Sequence, residues 1–87
     1  MFKALEELIE IIRSRKNEIQ NKSYTSQLLN NKILSKEKTE EEFRELLEAI
    51  HLNKNQTNEA ADLIYHLLVI LECNDVKVED VMDELKK

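Results

Sequence analysis

Apolar residues recur at three- and four-residue steps along most of this chain, which is the spacing of one face of an α-helix. The first stripe predicts an amphipathic helix over residues 2–19, and a polar break at residues 21–23 separates it from a shorter helix over residues 25–34. We expect these two helices to bury Phe2, Leu5, Leu8, Ile9, Ile12, Ile19, Tyr24, Leu28, Leu29 and Ile33.

A charged link over residues 35–39 leads to a third helix, which is predicted to begin at Thr39 and to end at Leu52. Thr39 followed by Glu42 matches a capping box, in which a hydroxyl and a carboxylate bind free amides of the first turn. The predicted buried stripe of this helix consists of Phe43, Leu46, Leu47 and Ile50.

The polar segment at residues 53–57 predicts a turn that folds a fourth helix back on the third, with Thr57 or Asn58 as the N-cap. The fourth helix is apolar on nearly every side over residues 63–71, so we expect it at the centre of the fold. A last short helix over residues 76–87 should turn Val78, Val81, Met82 and Leu85 inward. Residues 1–87 are therefore predicted to form a single all-α domain of four or five helices.

The 87 residues include no glycine and no proline. Asparagine is the other residue that tolerates a left-handed backbone, so we expect it to serve at the breaks. The candidates are Asn30, Asn31, Asn53, Asn55 and Asn74. A chain this short has a marginal core, and we expect a helical bundle completed by dimerisation, as a homodimer or a larger assembly.

Thirteen basic and 18 acidic residues give a net charge of -5, which argues against binding to nucleic acid because such proteins normally present a basic face. The single cysteine, Cys73, cannot form an internal disulfide, and we expect it to be a small packing residue in a reducing compartment. The chain shows no basic and apolar leader and no long apolar run, so we expect a cytoplasmic protein without membrane contact.

Two acidic pairs flank the predicted turn, Glu42 with Glu45 before it and Glu59 with Asp62 after it. Residues three apart share a helix face, so each pair points two carboxylates in one direction. A rise of ~1.5 Å per residue puts Glu45 and Asp62 about 3 Å apart in height, and Glu42 and Glu59 about 12 Å apart. Helix bundles build metal sites from facing carboxylates, and the oxygen ligands suit Mg²⁺, with Mn²⁺ as an alternative.

A structural explanation competes with the metal site. The acidic residues at positions 40–42, 45 and 48 would also suit a solvated face near a helix N-terminus. That explanation is weaker for Glu59, Asp62 and His66, which follow one stripe of a mostly apolar helix, where charged groups are usually paired or bound to metal. His66 taken alone is more often a core histidine whose hydrogen bonds are satisfied.

The sequence resembles the all-α nucleotide pyrophosphohydrolases of the MazG-like superfamily, which carry E-E-x-x-E followed by E-x-x-D, here at residues 41–45 and 59–62. Within that superfamily, the run EAADLIYHLLVIL at residues 59–71 and the run SYTxxLL at residues 23–29 are similar to phosphoribosyl-ATP pyrophosphatases. The resemblance covers nearly the whole chain in the same order, although the glycines of that family are missing here.

The resemblance implies a hydrolase that cleaves the α-β phosphoanhydride of phosphoribosyl-ATP, giving phosphoribosyl-AMP and pyrophosphate in histidine biosynthesis, with Mg²⁺ as cofactor. The implied metal ligands are Glu42, Glu45, Glu59 and Asp62, and the implied catalytic residues are Glu41 and Glu42. The candidates for binding the nucleotide substrate are Lys38, Arg15, Lys16, Ser23 and Tyr24. His66 is expected to order the ligands through a hydrogen bond.

The resemblance also makes phosphoribosyl-AMP cyclohydrolase, the enzyme of the next step, a candidate functional partner. Two other functions stay open. One is a housecleaning enzyme of the same superfamily that hydrolyses non-standard or deoxynucleoside triphosphates, which differs in substrate preference. The other is a non-catalytic acidic helical module that binds a protein partner, which would not bind divalent ions tightly or be stabilised by Mg²⁺.

Overall fold

A computed structural model of the chain describes residues 1–18 and 22–87. Five helices make up most of this part of the chain: α1 (Lys3–Arg15), α2 (Tyr24–Leu29), α3 (Lys32–Leu52), α4 (Gln56–Cys73) and α5 (Val78–Leu85). The all-α fold is therefore confirmed. Among the helices described, none is both long enough and apolar enough to cross a membrane.

Helix α4 lies at the centre, as its nearly all-apolar sequence predicted, and it packs against each of the other four helices. The core around it consists of Ile12, Leu28, Leu29, Leu68, Val69 and Cys73. Ile12, Leu28 and Val69 are almost fully buried, and complete burial of such side chains contributes roughly 1.5–3 kcal/mol each. Cys73 is a buried packing residue, as expected.

The predicted boundary between the second and third helices is wrong. Helix α2 ends at Leu29 and α3 begins at Lys32, so the charged segment 35–39 is helical rather than a link. Asn31 is the N-cap of α3, because its side-chain oxygen accepts a hydrogen bond from the backbone N–H of Leu34 at 3.0 Å. The segment contains no helix breaker, and charges four residues apart, as in Lys36 and Glu40, support a helix.

Thr39 consequently lies inside α3 and forms no capping box. Its hydroxyl donates a hydrogen bond to the backbone carbonyl of Ser35 at 2.7 Å. Glu42 is therefore in the middle of a 21-residue helix. The helix dipole acts mainly on the first and last turns, so it does not explain why this glutamate is present.

The turn between α3 and α4 is shorter than predicted, because α4 begins at Gln56. Asn55 is its N-cap and makes no side-chain capping bond, so the expectation that Thr57 or Asn58 caps the helix is wrong. Asn53 and Asn55 have φ angles of 53° and 62°, which confirms the use of asparagine in the left-handed region at this turn.

At the other breaks the left-handed prediction fails. Asn30, Asn31 and Asn74 all have negative φ angles. At the end of α4 the residue with positive φ is Asp75, at 59°. Aspartate tolerates this region for the same reason as asparagine, a short polar side chain that can bond locally to the backbone.

The apolar stripe of α3 faces outward in this chain, contrary to the prediction. Phe43, Leu47 and Ile50 are 51%, 51% and 56% exposed, and only Leu46 of that stripe is half-buried. The buried residues of α3 are Ser35 and Ala49. Because Ser35, Glu42 and Ala49 are seven residues apart, they form one stripe along the helix, and the two small residues let α3 approach α4 closely.

Several other predicted core residues and bounds also differ. Helix α1 ends at Arg15 and α5 begins at Val78, so both are shorter than predicted, and Ile19 lies outside the described residues. Val78 packs against the core, and Val81 is half-buried. The predicted core residues that are exposed instead are Phe2, Tyr24, Ile33, Met82 and Leu85.

Candidate functional site

Three carboxylates converge where the acidic side of α3 meets the first turn of α4. Glu42 and Glu45 come from α3 and Glu59 from α4, and one oxygen of each lies within 4.8 Å of the others. All three side chains are half-buried. Glu42 and Glu59 were expected far apart in height, yet one carboxylate oxygen of each lies within 4.8 Å of an oxygen of Glu45.

Two oxygens of this carboxylate cluster (Glu42, Glu45 and Glu59) are buried without a hydrogen-bond partner in the part of the chain that the structure describes. They are Oε2 of Glu42 and Oε2 of Glu59. Buried polar atoms are normally paired, so two such oxygens in one cluster indicate a group that binds them. Oxygen donors of this kind fit a hard divalent cation such as Mg²⁺ or Mn²⁺.

The electrostatics of the carboxylate cluster point the same way. Burial, and after it the charge of Glu45, raises the pKa of Glu42 above its ordinary value, and the same two causes raise the pKa of Glu59. The negative charges in the cluster therefore repel one another at neutral pH. A divalent cation would relieve this repulsion while satisfying the unpaired oxygens.

Asp62, the fourth predicted ligand, lies outside the carboxylate cluster. Its side chain is exposed on α4, although its charge is near enough to contribute to the raised pKa of Glu42 and of Glu59. An aspartate side chain is one methylene shorter than a glutamate side chain. The structure therefore brings three of the four predicted ligands together and leaves Asp62 at the edge.

Lys38 and Glu41 form an ion pair on the same side of α3. The Lys38 ammonium donates a hydrogen bond to Glu41 Oε2 at 3.2 Å, and this bond is the main cause of the raised pKa of Lys38. The charges of Tyr24 and Glu42 also contribute to the raised pKa of Lys38. A cation is thus held next to the acidic oxygens.

His66 connects α4 to Tyr24. The residue is 7% exposed, its Nδ1 lies 2.9 Å from the backbone oxygen of Asp62, and its Nε2 lies 3.2 Å from the Tyr24 hydroxyl. The histidine expected to order the carboxylates therefore bonds a backbone carbonyl and a phenol in this structure. Its charge, when present, acts on Glu42 and lowers that pKa.

An open crevice of about 270 Å³ adjoins the carboxylate cluster at the turn between α3 and α4. Glu45 and Glu59 line one part of it, and Lys54 lines another. Lys54 is not among the residues predicted from the sequence to contact the substrate. The available signal was that this residue is the one cation in the turn NKNQT between the two acidic pairs.

The sequence model of the family described as phosphoribosyl-ATP pyrophosphohydrolase matches residues 5–87. The chain belongs to the phosphoribosyl-ATP pyrophosphohydrolase family. The predicted family is therefore confirmed, and with it the prediction that the chain is a hydrolase.

Named relatives of the family agree with this assignment. The chain is 41% identical to "Phosphoribosyl-ATP pyrophosphatase" of Natronomonas pharaonis over 95% of its own length and 87% of the relative's. It is 38% identical to the protein of the same name from Methanococcoides burtonii, over 95% and 89% of the two chains. A "Histidine biosynthesis bifunctional protein HisIE" of Buchnera aphidicola is 42% identical over 92% of this chain but only 39% of the relative. No solved structure matches the chain significantly.

Three substrate-side candidates taken from the pyrophosphohydrolase family have other partners in this chain. Arg15 pairs with Glu18 at 3.0 Å. Ser23 is the N-cap of α2, with its hydroxyl oxygen accepting from the backbone N–H of Ser26 at 3.0 Å.

The third, Lys16, binds the carbonyl of Glu72 and the carboxylate of Asp75 at the end of α4. Glu72 is 13 residues beyond Glu59, which is roughly 20 Å along the helix axis. The structure thus brings Lys38 and Tyr24 to the carboxylates but does not bring Lys16 there.

Proposed function

We propose that this chain hydrolyses phosphoribosyl-ATP at its α-β phosphoanhydride, releasing pyrophosphate and phosphoribosyl-AMP in histidine biosynthesis, with Mg²⁺ as its cofactor. Two kinds of observation support the proposal. The family and the names of the relatives support the reaction, and the two buried, unpaired oxygens in the carboxylate cluster support the metal.

In this proposal Glu42, Glu45 and Glu59 hold the ion, and Asp62 joins them when its side chain turns inward. Bound Mg²⁺ would neutralise charge on the phosphates and polarise the phosphorus that is attacked. Mn²⁺ offers similar chemistry with the same oxygen ligands. The donor set fits because all these ligands are carboxylate oxygens, and the nucleotide phosphates would supply further oxygen ligands.

The other residues of the site bind the substrate and move a proton. Lys38 would contact the triphosphate, and Lys54 would contact the phosphates in the crevice. Glu41, held by Lys38, would accept a proton from the attacking water, or help to hold a second ion. Glu42 would both hold the ion and orient that water. Phosphoryl transfer requires mainly positioning and charge stabilisation from a protein, and these residues supply both.

The test is pyrophosphate release from phosphoribosyl-ATP and from a panel of ordinary and deoxynucleoside triphosphates, with Mg²⁺ and with EDTA. We expect Mg²⁺-dependent turnover that is restricted to phosphoribosyl-ATP. Preference for a deoxynucleoside triphosphate would replace this function with that of a housecleaning enzyme. No turnover on any substrate by a folded, Mg²⁺-treated sample would favour the binding module and refute the proposed reaction.

We further propose that the chain works as a homodimer formed through the outward face of α3 and α4. Phe43, Leu47 and Ile50 form an exposed apolar stripe on α3, and α4, which packs against α3, also exposes Ile64 and Leu67. Contiguous exposed apolar patches of this kind mark interaction surfaces. A second copy of the chain would cover the stripe and add the burial that a short chain lacks.

The mass in solution tests the dimer. Wild type should have twice the chain mass of 10.3 kDa at micromolar concentration, and Leu47→Glu should shift it to the monomer because the charge would be buried in the interface. The control is Ile11→Glu, an equally exposed apolar residue of α1, since α1 and α3 do not pack together within the described residues. A monomeric wild type, or equal effects of both substitutions, would contradict this surface.

The bifunctional relatives support a link to phosphoribosyl-AMP cyclohydrolase, because this chain matches about 40% of their length. We propose that the present chain acts beside that enzyme and supplies its substrate.

A further inference from the structure

Both ring nitrogens of His66 are hydrogen-bonded, and the partners determine where the hydrogen lies. Nδ1 lies 2.9 Å from the backbone oxygen of Asp62, and a carbonyl oxygen can only accept, so Nδ1 carries the hydrogen. In the neutral ring Nε2 is then an acceptor. The hydroxyl of Tyr24, 3.2 Å away, must therefore donate its hydrogen to Nε2.

Tyr24 is bound to His66, seven residues after Glu59 on α4, and part of its side chain is open to solvent. It is 46% exposed, and the charges of Lys38, Glu42 and Glu41 reach it. Its ring is nearly parallel to that of Tyr65, with centroids 6.5 Å apart, and it meets the His66 ring edge-on at 6.0 Å. These contacts and the hydrogen bond to His66 orient the phenol toward α4.

We propose that the Tyr24 oxygen accepts a hydrogen bond from a donor group on the nucleotide. His66 is the positioning residue that leaves the Tyr24 oxygen only this role. With its hydrogen held by His66, the Tyr24 oxygen can only accept a hydrogen bond. The Tyr24 oxygen therefore contacts a sugar hydroxyl or a base N–H. Contact with a phosphate oxygen is unfavourable, because both oxygens would be acceptors with no hydrogen between them. This inference rests on the proposed function, whose substrate carries both kinds of donor.

The kinetic test compares wild type with Tyr24→Phe on phosphoribosyl-ATP and on two kinds of analogue, one lacking a sugar hydroxyl and one with the base N–H replaced by a carbonyl. A site built to accept from a donor rejects the analogue that lacks it. We expect wild type to favour the parent substrate by about tenfold in kcat/KM, the value of one hydrogen bond, and Tyr24→Phe to lose that preference on one analogue. The analogue affected identifies the donor as sugar or base.

Tyr65→Phe is the matched control, because it removes the neighbouring phenol, which is hydrogen-bonded to Thr25 instead. It should keep the wild-type preference. If Tyr24→Phe retains the preference against both analogues, the inference is overturned. No turnover by wild type refutes the proposed function itself, so the two failures are distinguishable.

The positioning role of His66 is tested by measuring the substrate preference that Tyr24 provides. The amide of His66→Asn can replace Nδ1 but is too short to reach the phenol, so this variant should lose the same preference, and adding Tyr24→Phe should cause no further loss. His66→Gln carries its amide oxygen nearer the position of Nε2 and should recover part of the preference. Loss of thermal stability in His66→Asn with the preference intact would show a purely structural histidine and would refute the positioning role.

The hydrogen position can be measured without turnover. Nitrogen-15 chemical shifts of the His66 ring, recorded with Mg²⁺ present, should show a neutral imidazole with its hydrogen on Nδ1. A hydrogen on Nε2, or on both nitrogens, would overturn the inference, because the Tyr24 hydroxyl would then be free to donate.

Discussion

Glu42→Gln tests the carboxylate cluster most directly, because it removes one charge and keeps the shape of the side chain. The Glu42 and Glu45 oxygens lie within 4.8 Å of each other. Two unit charges at this distance repel by about 1 kcal/mol in water and by about 3.5 kcal/mol at an effective dielectric constant of about 20. Since both side chains are only half-buried, solvent screens the pair, and we expect the lower figure.

The metal-free variant should therefore be more stable than wild type by about 1 kcal/mol at pH 8, where the carboxylates are ionised. For a chain of this length that is about 4–8 °C in Tm. With Mg²⁺ bound, wild type should instead be more stable than Glu42→Gln. Wild type gains about 2.7 kcal/mol when the free ion is at 100 times its Kd, while the variant gains much less because it has lost a ligand.

The assay is thermal unfolding followed by circular dichroism, in EDTA and in Mg²⁺. Glu37→Gln is the matched control, an exposed glutamate of the same helix outside the carboxylate cluster, and it should leave both curves unchanged. The reasoning is refuted if Glu42→Gln is no more stable than wild type in EDTA and responds to Mg²⁺ as strongly as wild type does.

Further predictions concern pH and the start of α2. Because the pKa values of Glu42 and Glu59 are raised above the ordinary glutamate value of 4.5, the folded protein binds protons more tightly than the unfolded chain. Relative to Glu42→Gln, the metal-free wild type should therefore gain stability as the pH falls from 7 toward 4.5, while stabilisation by Mg²⁺ should shrink. Urea unfolding of both proteins at several pH values measures both effects, and a wild type that loses stability relative to the variant over that range would contradict the assignment. Ser23→Ala should cost about 1 kcal/mol of unfolding free energy in urea, since the backbone N–H of Ser26 loses its cap, whereas Ser23→Thr should cost little.

Much of the fold follows from local pattern. The periodicity of α1 and the all-apolar face of α4 predicted the helices that build the core, and Ile12, Leu68 and Val69 lie there. The boundary between α2 and α3 was not predictable in the same way. Polar composition was the only signal for a link at residues 35–39, and the same residues are good helix formers once Asn31 has capped the helix.

The carboxylate cluster was predictable in part, because spacing places Glu42 with Glu45 on one face and Glu59 at the start of the next helix. Spacing does not give the rotation of a helix about its axis or the reach of each side chain. The exposure of Asp62 and the contact of His66 with Tyr24 depend on how α2, α3 and α4 pack, which brings together residues 42 positions apart in sequence.

The inward carboxylates and the outward apolar stripe have the same cause. Periodicity offered two faces of α3 for burial, an apolar face with Phe43 and Leu47 and a face with Ser35, Glu42 and Ala49. For one isolated chain the apolar face is the favourable choice, since burying it gains free energy and burying a carboxylate costs free energy. The observed orientation is favourable only if something neutralises the inner face and something covers the outer face. The proposed divalent cation would do the first and the proposed second copy of the chain would do the second, so the orientation of α3 supports both proposals together.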